Sequence, residues 1–191
     1  MTAALLDEIL ESTLPGLVDE LSSSNWYIRE RDVINLFVFG HLVPAFLSRG
    51  LDLTLMGVEV PVLQVERHAK ARLGAYKDLV IWREPRSSRW KGCEVSLPLD
   101  WAFHREHGCK PLAILEWKNL SRILVDPGSV RSGHTNDIEW LKDNVRAKMC
   151  EVGYAILVDQ TKSPTLKCCR ISEESERDFL SLPETMMAAA M

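Results

Sequence analysis

The sequence predicts a single mixed α/β domain, and three observations carry that expectation. Stretches whose apolar residues recur at helical spacing are interleaved with continuous apolar runs and alternating segments that suit strands. The chain has 191 residues, enough for one domain with a sizeable core and short for two. No internal repeat, low-complexity tract or Pro/Ser-rich linker divides it. The expected order is helix, strands, long loop, central strand, helix, strand, giving a central mixed β-sheet flanked by helices in αβββαβ order.

Residues 3–21 form a helical lead-in with Leu5, Ile9, Leu14, Leu17 and Leu21 as packing positions, interrupted at Pro15-Gly16. Ser22 to Asn25 supply a capping cluster for a longer helix over residues 26–47, on which Val33, Ile34, Phe37, Val38, Leu42 and Phe46 recur at helical spacing. Pro44 is expected to kink its end. Glu30 precedes Ile34 by four residues and Phe37 by seven, so it shares their inward side, where its charge sits at the edge of the core, pairs with a neighbouring arginine or serves a site.

Residues 51–66 read as strand, with a break at Gly57 and an edge or bulge at Pro61. A strand over 76–82 follows, with Asp78, Val80 and Trp82 on one face and Leu79 and Ile81 on the other. Residues 83–110 read as a long excursion between core strands. The central strand spans 111–120, and a polar loop after it holds the Asp126-Pro127-Gly128 turn with Arg122, Arg131 and His134. Asn136 and Glu139 read as a capping box for a helix whose stripe is Ile138, Leu141, Val145 and Met149. Residues 154–158 form a buried strand, 165–171 an outer one, and the chain from Glu173 onward a short helix and loose tail. The core is therefore expected within residues 25–160, with a lead-in over 1–24 and an extension over 161–191.

Apolar residues make up 46% of the chain and charged ones 26%, which excludes disorder and fibrous repeats. A net charge of −4 argues against coating nucleic acid through charge alone, while leaving room for a local basic groove. The longest apolar stretches fall short of a membrane span, and residues 1–8 lack the basic start of a secretory signal. A cytoplasmic location is the default expectation. The five cysteines form an odd set, with Cys168 and Cys169 adjacent, and reduced thiols are the simpler reading.

The chemistry concentrates where the central strand ends. In Leu115-Glu116-Trp117-Lys118 the two charged residues share one face by the two-residue period, at the end of a buried segment where charge is costly unless paired or used. A structural salt bridge and half of a metal site are both open. Asp78 on the neighbouring strand and Glu116 are oxygen donors of the kind magnesium prefers, and a lysine beside them can orient water. In the excursion, Arg83, Arg86, Arg89 and Lys91 cluster around Trp82 and Trp90, suited to phosphate contact and base stacking or to a solvated, tryptophan-anchored loop. Cys93, His104, His107 and Cys109 could bind zinc, but their spacing matches no standard ligand pair, and surface histidines with small buried cysteines are the alternative.

Taken together, a helix with an inward acid, Lys77-Asp78 at the head of one strand, Glu116-Trp117-Lys118 at the end of the next, then a helix and a strand resemble the PD-(D/E)XK nuclease superfamily. The resemblance spans roughly residues 30–158 and rests on a short, degenerate motif. It implies a restriction-endonuclease-like core and a nuclease dependent on Mg2+ (or Mn2+), acting on DNA, with RNA as the other substrate class. By position, Asp78 resembles the metal-binding aspartate, Glu116 the second acidic ligand, Lys118 the catalytic lysine and Glu30 the accessory helix acid. The backbone carbonyl of Trp117 would be a further metal ligand. Arg83, Arg86, Arg89, Lys91, Trp90, Arg122 and Arg131 are the candidate nucleic-acid contacts, and a homodimer would suit cleavage of two strands. Lys77 stands at the motif's proline position, and the following helix lacks the Gln-x-x-x-Tyr signature of the RecB-like branch. The alternative function is a catalytically inactive nuclease-fold module that binds a protein or nucleic-acid partner.

Overall fold

Six strands form one mixed sheet in the sequential order β1-β2-β3-β4-β5-β6: β1 (Met56–Leu63), β2 (Gly74–Ile81), β3 (Ala113–Leu120), β4 (Val152–Asp159), β5 (Thr165–Ile171) and β6 (Glu176–Leu182). The computed structural model describes residues 1–23, 29–63, 74–85, 110–121 and 126–182. All neighbouring strands pair antiparallel except β3 and β4, which are parallel. A parallel pair needs a crossover long enough to return the chain. Helix α4 (Pro127–Arg146) supplies it and packs on β3, β4 and β5.

Side-chain alternation divides the core between the two faces of the sheet. Leu79, Ile81, Leu115, Trp117, Tyr154 and Ile156 pack under α1 (Ala3–Ser23) and the second helical segment, whereas Val80, Trp82, Ile114 and Ala155 pack with Trp140, Leu141 and Val145 of α4. The expected faces of β2 are therefore the observed ones. β3 and β4 are buried almost throughout, as strands covered on both faces must be.

Several boundaries differ from expectation, each for a local reason. The lead-in helix runs unbroken through Pro15-Gly16, because its buried stripe of Leu6, Ile9, Leu10, Leu14, Leu17, Val18 and Leu21 continues across them. Ser12 and Thr13 hydroxyls donate to the Ile9 carbonyl one turn earlier. The second helix is described from α2 (Glu30–Leu36), continues through a π-helical turn at Phe37–Leu42, and ends in α3 (Val43–Ser48). The irregularity thus precedes Pro44, and the wide turn accommodates a residue with no N–H to donate. Leu53–Leu55 is a 3-10 turn, held by the Asp52 carboxylate accepting from Thr54 N, so the strand begins only at Met56. β1 lies at the sheet edge, the position Pro61 implied.

The largest corrections fall after β3. Asp126 caps α4 by accepting from Gly128 N, and Pro127 occupies its first turn, so the helix starts nine residues before Asn136 and carries Arg131 and His134. Residues expected to form a C-terminal helix instead form β6, which pairs antiparallel with β5 after a turn closed by Ser172 N donating to Ser175 O. No helix among the described residues is long and apolar enough to cross a membrane. The described cysteines, Cys150, Cys168 and Cys169, are free thiols and buried, and burial pushes all three thiol pKa values up.

Candidate active site

The site forms where β2 and β3 part. Their register pairs Leu79 with Leu115, Val80 with Ile114 and Ile81 with Ala113. Beyond Leu79 the Asp78 side chain takes over the ladder's role, its carboxylate accepting from Trp117 N at 2.8 Å. Asp78 stands close enough to Glu116 for its charge to raise that carboxyl. Strict alternation fails here, because Lys77, one residue away, also turns to the α4 side. Its ammonium pairs with Glu116 and stands 3.5 Å from the centre of the Trp140 ring.

Lys118 points to the same side and meets α4 and α2. Its Nζ donates to the Trp117 carbonyl at 2.8 Å, pairs with Asp137 of α4 at 3.1 Å, and stands 3.7 Å from Glu30 at the start of α2. Glu30 is held in place by its own helix: Phe37, two turns on, packs its ring 5.1 Å from that of Trp117, beside Lys118 in sequence. A Cβ on Gly133 would lie 3.2 Å from Lys118 Cε and 3.5 Å from Cδ, so the bare backbone at this position makes room for the lysine stem. The structure thus gathers Glu30, Asp78, Glu116 and Lys118, the four residues that the motif singled out.

The electrostatics are those of a crowded acidic cleft. Burial pushes the Glu116 carboxyl up to about 8; the Lys77 ammonium opposes the shift and Asp78 adds to it. Glu116 is 5% exposed, and its contact with Lys77 is an ion pair without a directed hydrogen bond. Burial likewise raises Asp78, against the Trp117 N–H, and raises Glu30, against Lys118. Burial alone would lower Lys118, but Asp137 and then Glu30 hold its ammonium above the ordinary lysine range. His134 lies near the same charges, and burial lowers its pKa despite Asp137.

The remaining candidates are not all brought here. Arg83 lies past the other end of β2, where it pairs with Glu151 and its carbonyl accepts from the N-terminal amine of Met1 at 2.9 Å. Arg131 is exposed on α4. Arg86, Arg89, Trp90, Lys91 and Arg122, and the zinc candidates Cys93, His104, His107 and Cys109, lie outside the described residues. Among the described residues no three His, Cys, Asp or Glu side chains stand close enough to hold a metal ion as they are placed.

The sequence reading places His134 in a loop, and misses Lys77 as a partner of Glu116, and Gly133 and Asp137 altogether. A signal for Gly133 and Asp137 existed. Val130, Gly133, Asp137, Trp140, Leu141 and Asn144 recur at three- and four-residue spacing, the stripe of one helix face once the helix is allowed to start at the Asp126-Pro127 cap. No family model, curated protein or solved structure matches this chain.

Proposed function

We propose that the chain is a metal-dependent nuclease with a restriction-endonuclease-like core, hydrolysing phosphodiester bonds of DNA, with RNA as the other substrate class. One observation carries this reading: Asp78, Glu116, Lys118 and Glu30, distant in sequence, meet at the split between β2 and β3, with Lys118 3.7 Å from Glu30 and Asp78 bonded to the backbone between Glu116 and Lys118.

The residues fit a hard divalent cation on charge and donor type. Four carboxylates (Glu30, Asp78, Glu116, Asp137) face two ammonium groups (Lys77, Lys118), an excess of two negative charges that protons or a cation must offset. Asp78 and Glu116, with the Trp117 carbonyl, would hold Mg2+ or Mn2+, all being oxygen donors. The ion would supply a nucleophilic hydroxide and stabilise charge on the phosphorus oxygens. Lys118 then orients the attacking water and offsets charge on the phosphate, and Glu30 keeps its ammonium at the cleft. Lys77, its ammonium seated over the Trp140 ring, pairs with Glu116 and fixes the direction from which that carboxylate acts.

The purified protein should cleave DNA when Mg2+ or Mn2+ is added, and Lys118→Ala should abolish cleavage while leaving the thermal unfolding transition intact. Equal cleavage by wild type and variant would sink the proposal. The second reading, a nuclease-fold module that does not cleave, is favoured by the lysines themselves: Lys118 occupies the Trp117 carbonyl and Lys77 occupies Glu116, so two of the assigned metal ligands are already engaged. Calorimetric titration with Mg2+ separates the two, because the module would show no heat that disappears in Asp78→Asn and Glu116→Gln.

A further inference from the structure

We infer that Asp137 is a positioning residue for Lys118, the anionic seat that keeps the lysine ammonium at the cleft from the α4 side. The inference rests on the nuclease reading of the same site for its functional consequence, while the seat itself is a matter of geometry.

Three features of α4 build the seat. Asp137 Oδ2 stands 3.1 Å from Lys118 Nζ, closer than Glu30 at 3.7 Å. One helical turn earlier, Gly133 leaves the backbone open to the lysine stem, where a Cβ would sit 3.2 Å from Cε. Asp137 is itself only 20% exposed on its side chain, against 40% for Glu30, so its interaction with the ammonium is the less screened of the two. Lys118 has one further acceptor, the Trp117 carbonyl at 2.8 Å. That carbonyl is the oxygen the nuclease reading assigns to the cation. Once it is engaged elsewhere, Asp137 is the nearest anion left to hold the ammonium, and a long side chain with four rotatable bonds needs such a restraint to stay in a productive geometry. Gly133 and Asp137 share one face of α4, so the helix that closes the β3-β4 crossover also orients a residue of β3.

Two measurements on the full chain test this, one independent of cleavage. The first is the rate of reductive methylation at Lys118, read by peptide mass spectrometry against the exposed Lys148 in the same sample. In wild type Lys118 should react more slowly than Lys148, and in Asp137→Asn that protection should be lost, with unchanged thermal unfolding. The second is steady-state cleavage: Asp137→Asn should lower kcat about tenfold or more with KM unchanged, and Asp137→Glu should recover part of it. A general loss of folding would move KM and kcat together and abolish the cooperative thermal transition, and Asp137→Glu then serves as the folded variant for both measurements. If wild type cleaves and neither variant changes kcat, the inference is overturned. If wild type does not cleave, the nuclease reading fails, and methylation alone decides: protection lost in Asp137→Asn sustains the seat, and equal rates in wild type and variant overturn it.

Discussion

The carboxylate of Asp78 accepts the backbone N–H of Trp117 at 2.8 Å, the two residues lying one and two positions beyond the last ladder pair, Leu79 with Leu115, between β2 and β3. A side chain thereby satisfies a buried donor that a strand would otherwise satisfy, and the two strands separate without leaving it unpaired. Asp78→Ala removes the acceptor and strands the N–H, which costs about 1–3 kcal/mol. Asp78→Asn keeps an oxygen at the same place and should retain most of that stability. Urea denaturation of the two variants is expected to rank Asn above Ala, while both lose metal-dependent heat in calorimetry. Equal stability would mean that Asp78 contributes to chemistry alone.

Stability should fall as pH rises through the neutral range. The Glu116 carboxyl goes from 4.5 in an ordinary setting to about 8 in the fold, so between those values the native state binds more protons than the unfolded one. Stability then decreases with pH across that window, being fully present below 4.5 and lost as pH passes about 8. Glu30 and Asp78 are raised by the same burial and act with the same sign. His134, lowered from 6.5, acts in the opposite direction below that value, and Lys118 is raised from 10.5 and adds nothing in this window. Thermal melts from pH 5 to pH 9 should therefore show a falling Tm in wild type and a flatter profile in Glu116→Gln. Under the nuclease reading, Mg2+ should restore more stability at pH 8 than at pH 5, because only the ionised carboxylates bind it.

The seam between α4 and β4 depends on a close approach at Gly153. A Cβ there would lie 3.0 Å from both Cβ and Cδ2 of Leu141 and 3.2 Å from Cγ, so the fully buried leucine has no room to yield except by moving the helix. Gly153→Ala should cost about 1–3 kcal/mol, the range for overpacking a dense core. Gly153→Ala in a Leu141→Ala background should cost less than in wild type. Additive losses in the double variant would show that the two positions are not coupled.

The same elements explain how much of this molecule could be read without coordinates. The apolar runs around Val80 and Ile114 locate two of the strands, because burial on both faces leaves an unambiguous signal, and the period-two placement of Glu116 and Lys118 puts them on one side, with Asp78 beside them. The sequence starts α4 too late, since Asp126-Pro127-Gly128 suits a turn as well as a capped first turn of helix, and the polar residues 131–136 have no apolar pattern to decide between them. Asp137 and Gly133 were lost with that boundary. The sequence of β6 suggests a helix because residues 173–182 are mostly exposed and the strand lies at a sheet edge, where pairing with β5 settles the conformation and periodicity does not. Lys77 illustrates a different limit: strand alternation sends it away from Glu116, and only the separation of β2 from β3 brings it back.

That lysine offers the sharpest separation of pairing from chemistry. Lys77 and Glu116 are 8% and 5% exposed, and removing one member of such a pair leaves a desolvated charge behind. Lys77→Met should therefore destabilise the protein at pH 8, where Glu116 is partly ionised and loses its buried partner. At pH 5 the same substitution should cost much less, because Glu116 is already neutral there and the ion pair is not formed. Combining Lys77→Met with Glu116→Gln should recover much of the loss at pH 8, since the buried charge is gone from both sides. Methionine keeps the unbranched stem against the Trp140 ring, so the packing lost is small beside the charge removed. A loss that is equal at both pH values, and that Glu116→Gln does not relieve, would assign the role of Lys77 to its contact with Trp140 and leave Glu116 free of it.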